Sequence, residues 1–262
     1  MRQTLALDES HRVGVKPVAL RRPLDWLALG WQDLRRCPGP ALLQGAALAL
    51  FGAALLWAAR GEFWLLAGAF SGFLLVAPVL ATGLYAISRS LSRGQPAGLR
   101  TVIDAWRPRD GRLVAFGLLL ALAGTGWVLT SASLITEFAA EPVGNPGDFM
   151  RVVVLRENSF LFEIWLALGG VLAAPMFASS VVAIPLLLDR RIGVLAAVLT
   201  SWRAVMANPV PLALWAALIM LLTLLGMVTA MLGLVLVLPL LGHASWHAYR
   251  DLVDASGLAE RP

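Results

Sequence analysis

The chain has 262 residues, 59% of them hydrophobic and only 14% charged, with a mean hydropathy of +0.77 and a formal charge of +5. A soluble domain carries about 25% charged residues, so this composition excludes a water-covered globule and predicts one integral-membrane domain. The single cysteine, Cys37, excludes an internal disulfide and a multi-thiolate metal site.

Residues 1–23 are polar and hold Asp8, Glu9, His11, Arg12, Lys16, Arg21 and Arg22. They lack the apolar core of a signal peptide, so a mobile cytoplasmic tail and an uncleaved first span are expected. From Leu24 to Arg36 an amphipathic helix follows, with Leu24, Leu27, Trp31 and Leu34 on one face. Residues 41–59 form a first expected span and 63–87 a second, each near the roughly 20 apolar residues that a crossing needs.

The same pattern then returns. Leu99, Val102 and Trp106 repeat the spacing of Leu24, Leu27 and Trp31, and a surface helix is expected over 98–107. Residues 113–135 give a third span. The segment from Thr136 to Ser159, acidic on balance, is the one sizeable outer loop, and 162–188 gives a fourth span. Leu195, Val198 and Trp202 write the pattern a third time, within a surface helix over 192–205.

Between Ala204 and Tyr249 no Asp, Glu, Lys or Arg occurs across 46 residues. One helix of that length would run about 69 Å, more than twice the hydrocarbon thickness. The stretch must fold back, giving spans at 211–229 and 231–249 and a cytoplasmic tail over 254–262. The fold class is therefore all-α: a polytopic protein of six spans, built as three repeats of an interfacial helix plus a helical hairpin, with approximate three-fold pseudosymmetry.

Charge sets the orientation. Eighteen of the 21 basic residues fall in the segments on one side of these spans, and only Arg60, Arg151 and Arg156 on the other. The positive-inside rule places both termini in the cytoplasm. That topology also accounts for the high pI, so no nucleic-acid partner is expected; the expected partners are the lipid bilayer and other inner-membrane proteins.

The exits correspond too. Pro78 precedes Arg89 by eleven residues, as Pro239 precedes Arg250, with Tyr85 and Trp246 at the same offset between them. Trp31, Trp106, Trp202, Tyr85, Trp246, Arg89 and Arg250 are the expected interfacial anchors, rings and guanidinium groups being suited to headgroup depth. The three surface helices serve to anchor and orient the bundle, or in a sharper reading to dock a partner.

Candidates for chemistry are few. His243 and His247 lie one turn apart on the last span and are the only metal candidates, weak ones, since no nearby Cys or carboxylate completes a ligand set in the sequence. Glu163 sits at the outer end of the fourth span, where hydration explains it better than proton coupling. No phosphate-binding glycine loop, nucleophile elbow or zinc-protease motif occurs, so no catalytic residue, enzymatic activity or cofactor is expected.

Three stretches carry a resemblance: GWQDLRRCPGP from Gly30, FWLLAGAFSGFLLVAPVLATGLYAISRSL from Phe63, and LPLLGHASWHAYRDLV from Leu238. They resemble a bacterial family of predicted integral membrane proteins of unknown function. The resemblance runs from Trp26 to Val253 and implies a six-span inner-membrane protein, with no activity to carry across. Some members are loosely labelled cytochrome c oxidase subunit I-like. A haem-copper catalytic subunit would need about twelve spans and six histidine ligands, and here only His243 and His247 could serve. The leading expectation is a non-enzymatic accessory, assembly or scaffold component of a membrane complex. The alternative is a transporter or channel for a small or lipophilic solute, since transporters are often built from repeats.

Overall fold

The computed structural model describes residues 2–58, 81–107, 111–157 and 159–261. In chain order it runs α1 (Arg2–His11), β1 (Gly14–Val15), α2 (Arg22–Arg36), α3 (Pro38–Ala58), α4 (Thr82–Ser92), α5 (Leu99–Trp106) and α6 (Arg112–Phe138). After a short turn at Pro146–Asp148 and a π-helical Phe149–Val154 come α7 (Leu161–Ser180), α8 (Ala183–Asp189), α9 (Val194–Ala207), α10 (Pro209–Val228), α11 (Leu234–Leu252) and β2 (Val253–Asp254). Among the described residues the chain is all-α apart from the two-residue pairing of β1 with β2 and an isolated bridge between Arg190 and Glu260. It divides into two compact units, one of Met1–Ala49, Pro78–Phe116 and Phe177–Pro262, the other of Leu50–Ala77 and Gly117–Met176.

Among the described residues three helices are long and apolar enough to cross a membrane: Arg112–Phe138, Leu161–Asp189 and Pro209–Val228. A fourth is added if α2 and the start of α3, bent by 108° at Cys37, count as one broken span. By position the three overlap the stretches 113–135, 162–188 and 211–229 where spans are expected. Residues 41–58 of the first expected span lie in α3, while residue 59 and most of 63–87 lie outside the described residues. Of the segment expected at 231–249, residues 234–249 are helical within α11, and the second half of α11 carries His243, His247, Arg250 and Asp251 and is largely buried by protein.

In the first unit, α2 starts with Pro23 in its first turn, where a missing N–H costs no hydrogen bond. It buries Trp26, Gly30, Asp33 and Leu34 and leaves Leu24 and Trp31 outward. The packed face is thus offset from the apolar stripe: Leu34 of that stripe is buried beside the paired Asp33, while Leu24 and Trp31 stay outside. In the helices that carry the same spacing again, the leading Leu and the Trp are likewise outside. In α5 Val102 is buried while Leu99 and Trp106 are exposed; in α9 Ala197, Thr200, Ser201 and Ala204 are buried while Leu195 and Trp202 are exposed.

Each of these helices packs on an exit helix: α5 on α4, α9 on α8, and α2 on α11. The exit helices α4, α8 and α11 in turn pack on one another. The first two pairs are chain neighbours, whereas α2 and α11 join the beginning of the fold to its end. Small residues allow the close crossing, Gly30 of α2 lying against the backbone of Leu240 and Ala244. The same joint is closed by β1 and β2, with Gly14 opposite Asp254 and Val15 opposite Val253, and by the Lys16 amide donating to the Leu252 carbonyl at 2.8 Å.

Both terminal segments expected as tails are built into this unit. Ser10 and Val13 are buried against α9; Thr200 bonds Ser10 at 3.1 Å, and Arg203 donates to the Ser10 carbonyl at 2.8 Å. Asn208 holds the segment after β1, accepting from the Val18 amide at 2.8 Å and donating to the Lys16 carbonyl at 3.0 Å. These attachments are polar and long-range, which a hydropathy reading does not register.

In the second unit Trp165 is the centre. Its indole N–H donates to Ser131 at 2.8 Å, and its ring packs against Trp127, Phe149 and Phe162. Ile135, Val153 and Leu161 form the adjoining core. Gly169 brings α7 close to the Trp127 ring, and Arg151 pairs with Glu141 at 2.8 Å in the acidic loop.

Candidate functional site

Two buried polar clusters lie where the exit helices of the first unit meet. The first joins α2, α4 and α11. Ser88 donates to Asp33 Oδ2 at 2.7 Å, His247 Nε2 lies 2.8 Å from the same oxygen, and His243 Nδ1 lies 2.8 Å from Ser88 Oγ. With the Ser88 proton directed to Asp33, His243 donates from Nδ1 to Ser88. A buried carboxylate needs such donors, since leaving it unpaired costs several kcal/mol.

Burial alone would raise the Asp33 carboxyl, but hydrogen bonds from His247 and Ser88 outweigh it and hold the carboxyl below its ordinary 3.8. A depressed carboxyl stabilises the fold above its ordinary range and stops doing so as pH falls through the folded value. Thermal unfolding between pH 7 and pH 3 should therefore show a loss of stability below about pH 4 in the native chain. Asp33→Asn should start less stable at pH 7 and show a smaller acid-side loss; equal slopes would remove this role for Asp33.

The second cluster centres on Asp189, whose side chain is only 1% exposed. Arg89 Nε and Arg93 Nη2 reach Oδ1 at 3.0 and 2.9 Å; Arg190 Nε and the Tyr249 hydroxyl reach Oδ2 at 3.1 and 2.9 Å. The Arg89 guanidinium also donates to the Arg261 carbonyl. Nearby, Arg22 Nε and Trp26 Nε1 share Asp251 Oδ2 at 2.5 and 2.7 Å, tying α2 to the end of α11; this pairing, led by the hydrogen bond, raises the Arg22 guanidinium above its ordinary value.

These geometries bear on the residues singled out from sequence. His243 and His247 direct their bonded nitrogens to Ser88 and Asp33, and no group of three or more His, Cys, Asp or Glu that could hold a metal occurs among the described residues. Asp33, Ser88 and His243 are the residue types of a hydrolytic triad, wired differently. In a triad the carboxylate orients the histidine that the serine bonds, whereas Asp33 bonds Ser88 and His247, and Ser88 is fully buried. Trp31, Trp106 and Trp202 are 43%, 52% and 39% exposed, and Trp202 also donates to Ser179 at 2.9 Å.

Arg250 is exposed, while Tyr85 and Trp246 lie in the interior, Trp246 against Tyr249. Arg89, at the offset of Arg250, is drawn inward by Asp189. Glu163 lies in the first turn of α7. The pivotal residues that the sequence reading passed over are Asp33, Ser88 and Asp189. Two of them carry a visible signal: a carboxylate two residues after a repeated tryptophan, and another ending an apolar run.

The helices and this buried packing define an integral membrane protein of the all-α class. Residues 65–189 match the model of a family described as predicted integral membrane protein (DUF2189), so the resemblance to a family of unknown function is shown over that stretch. No curated protein matches the chain, and no solved structure does.

Proposed function

We propose that this chain is a non-enzymatic accessory, assembly or scaffold protein of the bacterial inner membrane, with both termini cytoplasmic and six spans in three repeats. One observation carries the reading. Polar groups inside the first unit are used to hold its helices to one another, while the thrice-repeated Leu and Trp positions face outward. A helix that spends its polar face on the interior and shows Leu and Trp outside is suited to headgroup depth or to a partner's surface. The pairing of each such helix with an exit helix is the arrangement three equivalent repeats would give.

The test is cross-linking in membranes, mild-detergent purification and mass spectrometry. A stoichiometric partner is expected with the native chain. Replacing Trp31, Trp106 and Trp202 together by Ala should remove it while shifting thermal stability little, because all three rings are well exposed. A native chain that repeatedly purifies alone, or that carries a solute across liposomes, would overturn the scaffold reading.

A further inference from the structure

The Asp189 cluster holds more guanidinium than its carboxylates require. Arg89, Arg93 and Arg190 surround one buried carboxylate, and Glu260, whose side chain is 57% exposed, supplies only one more, so one guanidinium stays in formal excess. Glu260 Oε2 takes Arg93 Nη2 at 3.2 Å and Oε1 takes Arg190 Nη2 at 3.3 Å. Both contacts are longer than the roughly 2.7–2.9 Å of a good charge-assisted bond. The same two arginines meet the buried Asp189 at 2.9 and 3.1 Å, the second also beyond that range.

The clamp is positioned by the buried Asp189, and Glu260 bridges its two arginines from the exposed side. Glu260 arrives on a short strap. The Arg191 amide donates to the Ala259 carbonyl and the Arg261 amide to the Asp189 carbonyl, each at 2.9 Å, while Arg190 Nη1 donates to the Leu258 carbonyl at 3.1 Å.

We propose that Arg93 and Arg190 form a binding site for a phosphate-bearing anion, which Glu260 occupies as an internal substitute until the anion displaces it. A carboxylate offers two oxygens in one plane, whereas a phosphate group spreads its oxygens over a tetrahedron, two of them anionic in a diester and more in free phosphate, a better match to two guanidinium forks from separate elements. Arg190 and Arg93 are partly buried, and Asp189 fixes their orientation, so little ordering is left to be done on binding. The site does not depend on the scaffold reading.

The full chain in phosphatidylcholine nanodiscs is titrated with inorganic phosphate at constant ionic strength, following the thermal unfolding midpoint. A second arm raises phosphatidylglycerol stepwise from none to one lipid in three. A saturable rise is expected in at least one arm. The phosphate arm identifies a free anion and the phosphatidylglycerol arm alone a lipid headgroup. Glu260→Gln should tighten the response about fivefold by removing the competing carboxylate, and Arg93→Gln should abolish it. No saturable rise in either arm, equal affinity in Glu260→Gln and the native chain, or an undiminished response in Arg93→Gln would each overturn the site. If Arg93→Gln does not fold, the comparison of Glu260→Gln with the native chain decides.

Discussion

Asp189→Asn should destabilise the protein by about 3 kcal/mol, the scale of breaking a buried ion pair from one side. The substitution keeps the shape of the side chain and removes its charge. Arg89, Arg93 and Arg190 then face one another around a neutral amide, and the Tyr249 hydroxyl loses its charged acceptor. In detergent the unfolding midpoint should fall by roughly 10 °C. Glu260→Gln is the control. It touches Arg93 and Arg190 too, but its exposed carboxylate is screened and should contribute under about 1 kcal/mol. If Asp189→Asn unfolds with the native chain, this cluster does not hold the exit helices together.

Gly30→Val should be harsher still. A Cβ at Gly30 would lie 2.7 Å from the Ala244 amide nitrogen and 2.9 Å from the Leu240 carbonyl oxygen. Both are backbone atoms within a helix, so neither can swing aside, and interiors this dense transmit the strain. The helix α2 would have to lift from α11, and the bonds from Trp26 to Asp251 and from His247 to Asp33 would stretch with it. The combined loss should exceed about 3 kcal/mol, enough that little folded protein accumulates in membranes. Gly126→Ala serves as the reference, because nothing lies within 4 Å of a Cβ there. Relief of the glycine penalty in α6 should leave it as stable as the native chain or about 0.5–1 kcal/mol better. Near-native yield and midpoint for Gly30→Val would show that the α2–α11 contact is not close-packed.

Much of the fold is legible along the chain. Uninterrupted hydropathy predicts α6, the α7–α8 run and α10, and the recurring Leu, Leu or Val, and Trp spacing predicts α2, α5 and α9. The candidate site is far less legible. Asp33 reads as part of a solvated face, since three neighbouring positions, Gln32, Arg35 and Arg36, are polar and exposed. His243 and His247 read as a pair, because they share a helix face, yet they belong to a set completed by Ser88 and Asp33 on other helices.

Composition and periodicity by themselves determine that the chain is a helical membrane protein, where its apolar helices fall, and that one amphipathic pattern occurs three times. Those properties depend on neighbours within a turn or two, so they can be summed along the sequence. Only the tertiary structure decides that α2 closes onto α11, that both terminal segments dock, and that Arg89 turns inward while Arg250, at the matching offset, faces out. The deciding contacts join residues far apart in sequence: 55 for Ser88 with Asp33, 100 for Arg89 with Asp189, 214 for His247 with Asp33. A buried charge is tolerated only beside its partner, and at such separations the partner is chosen by the folded arrangement of helices, which no local pattern encodes.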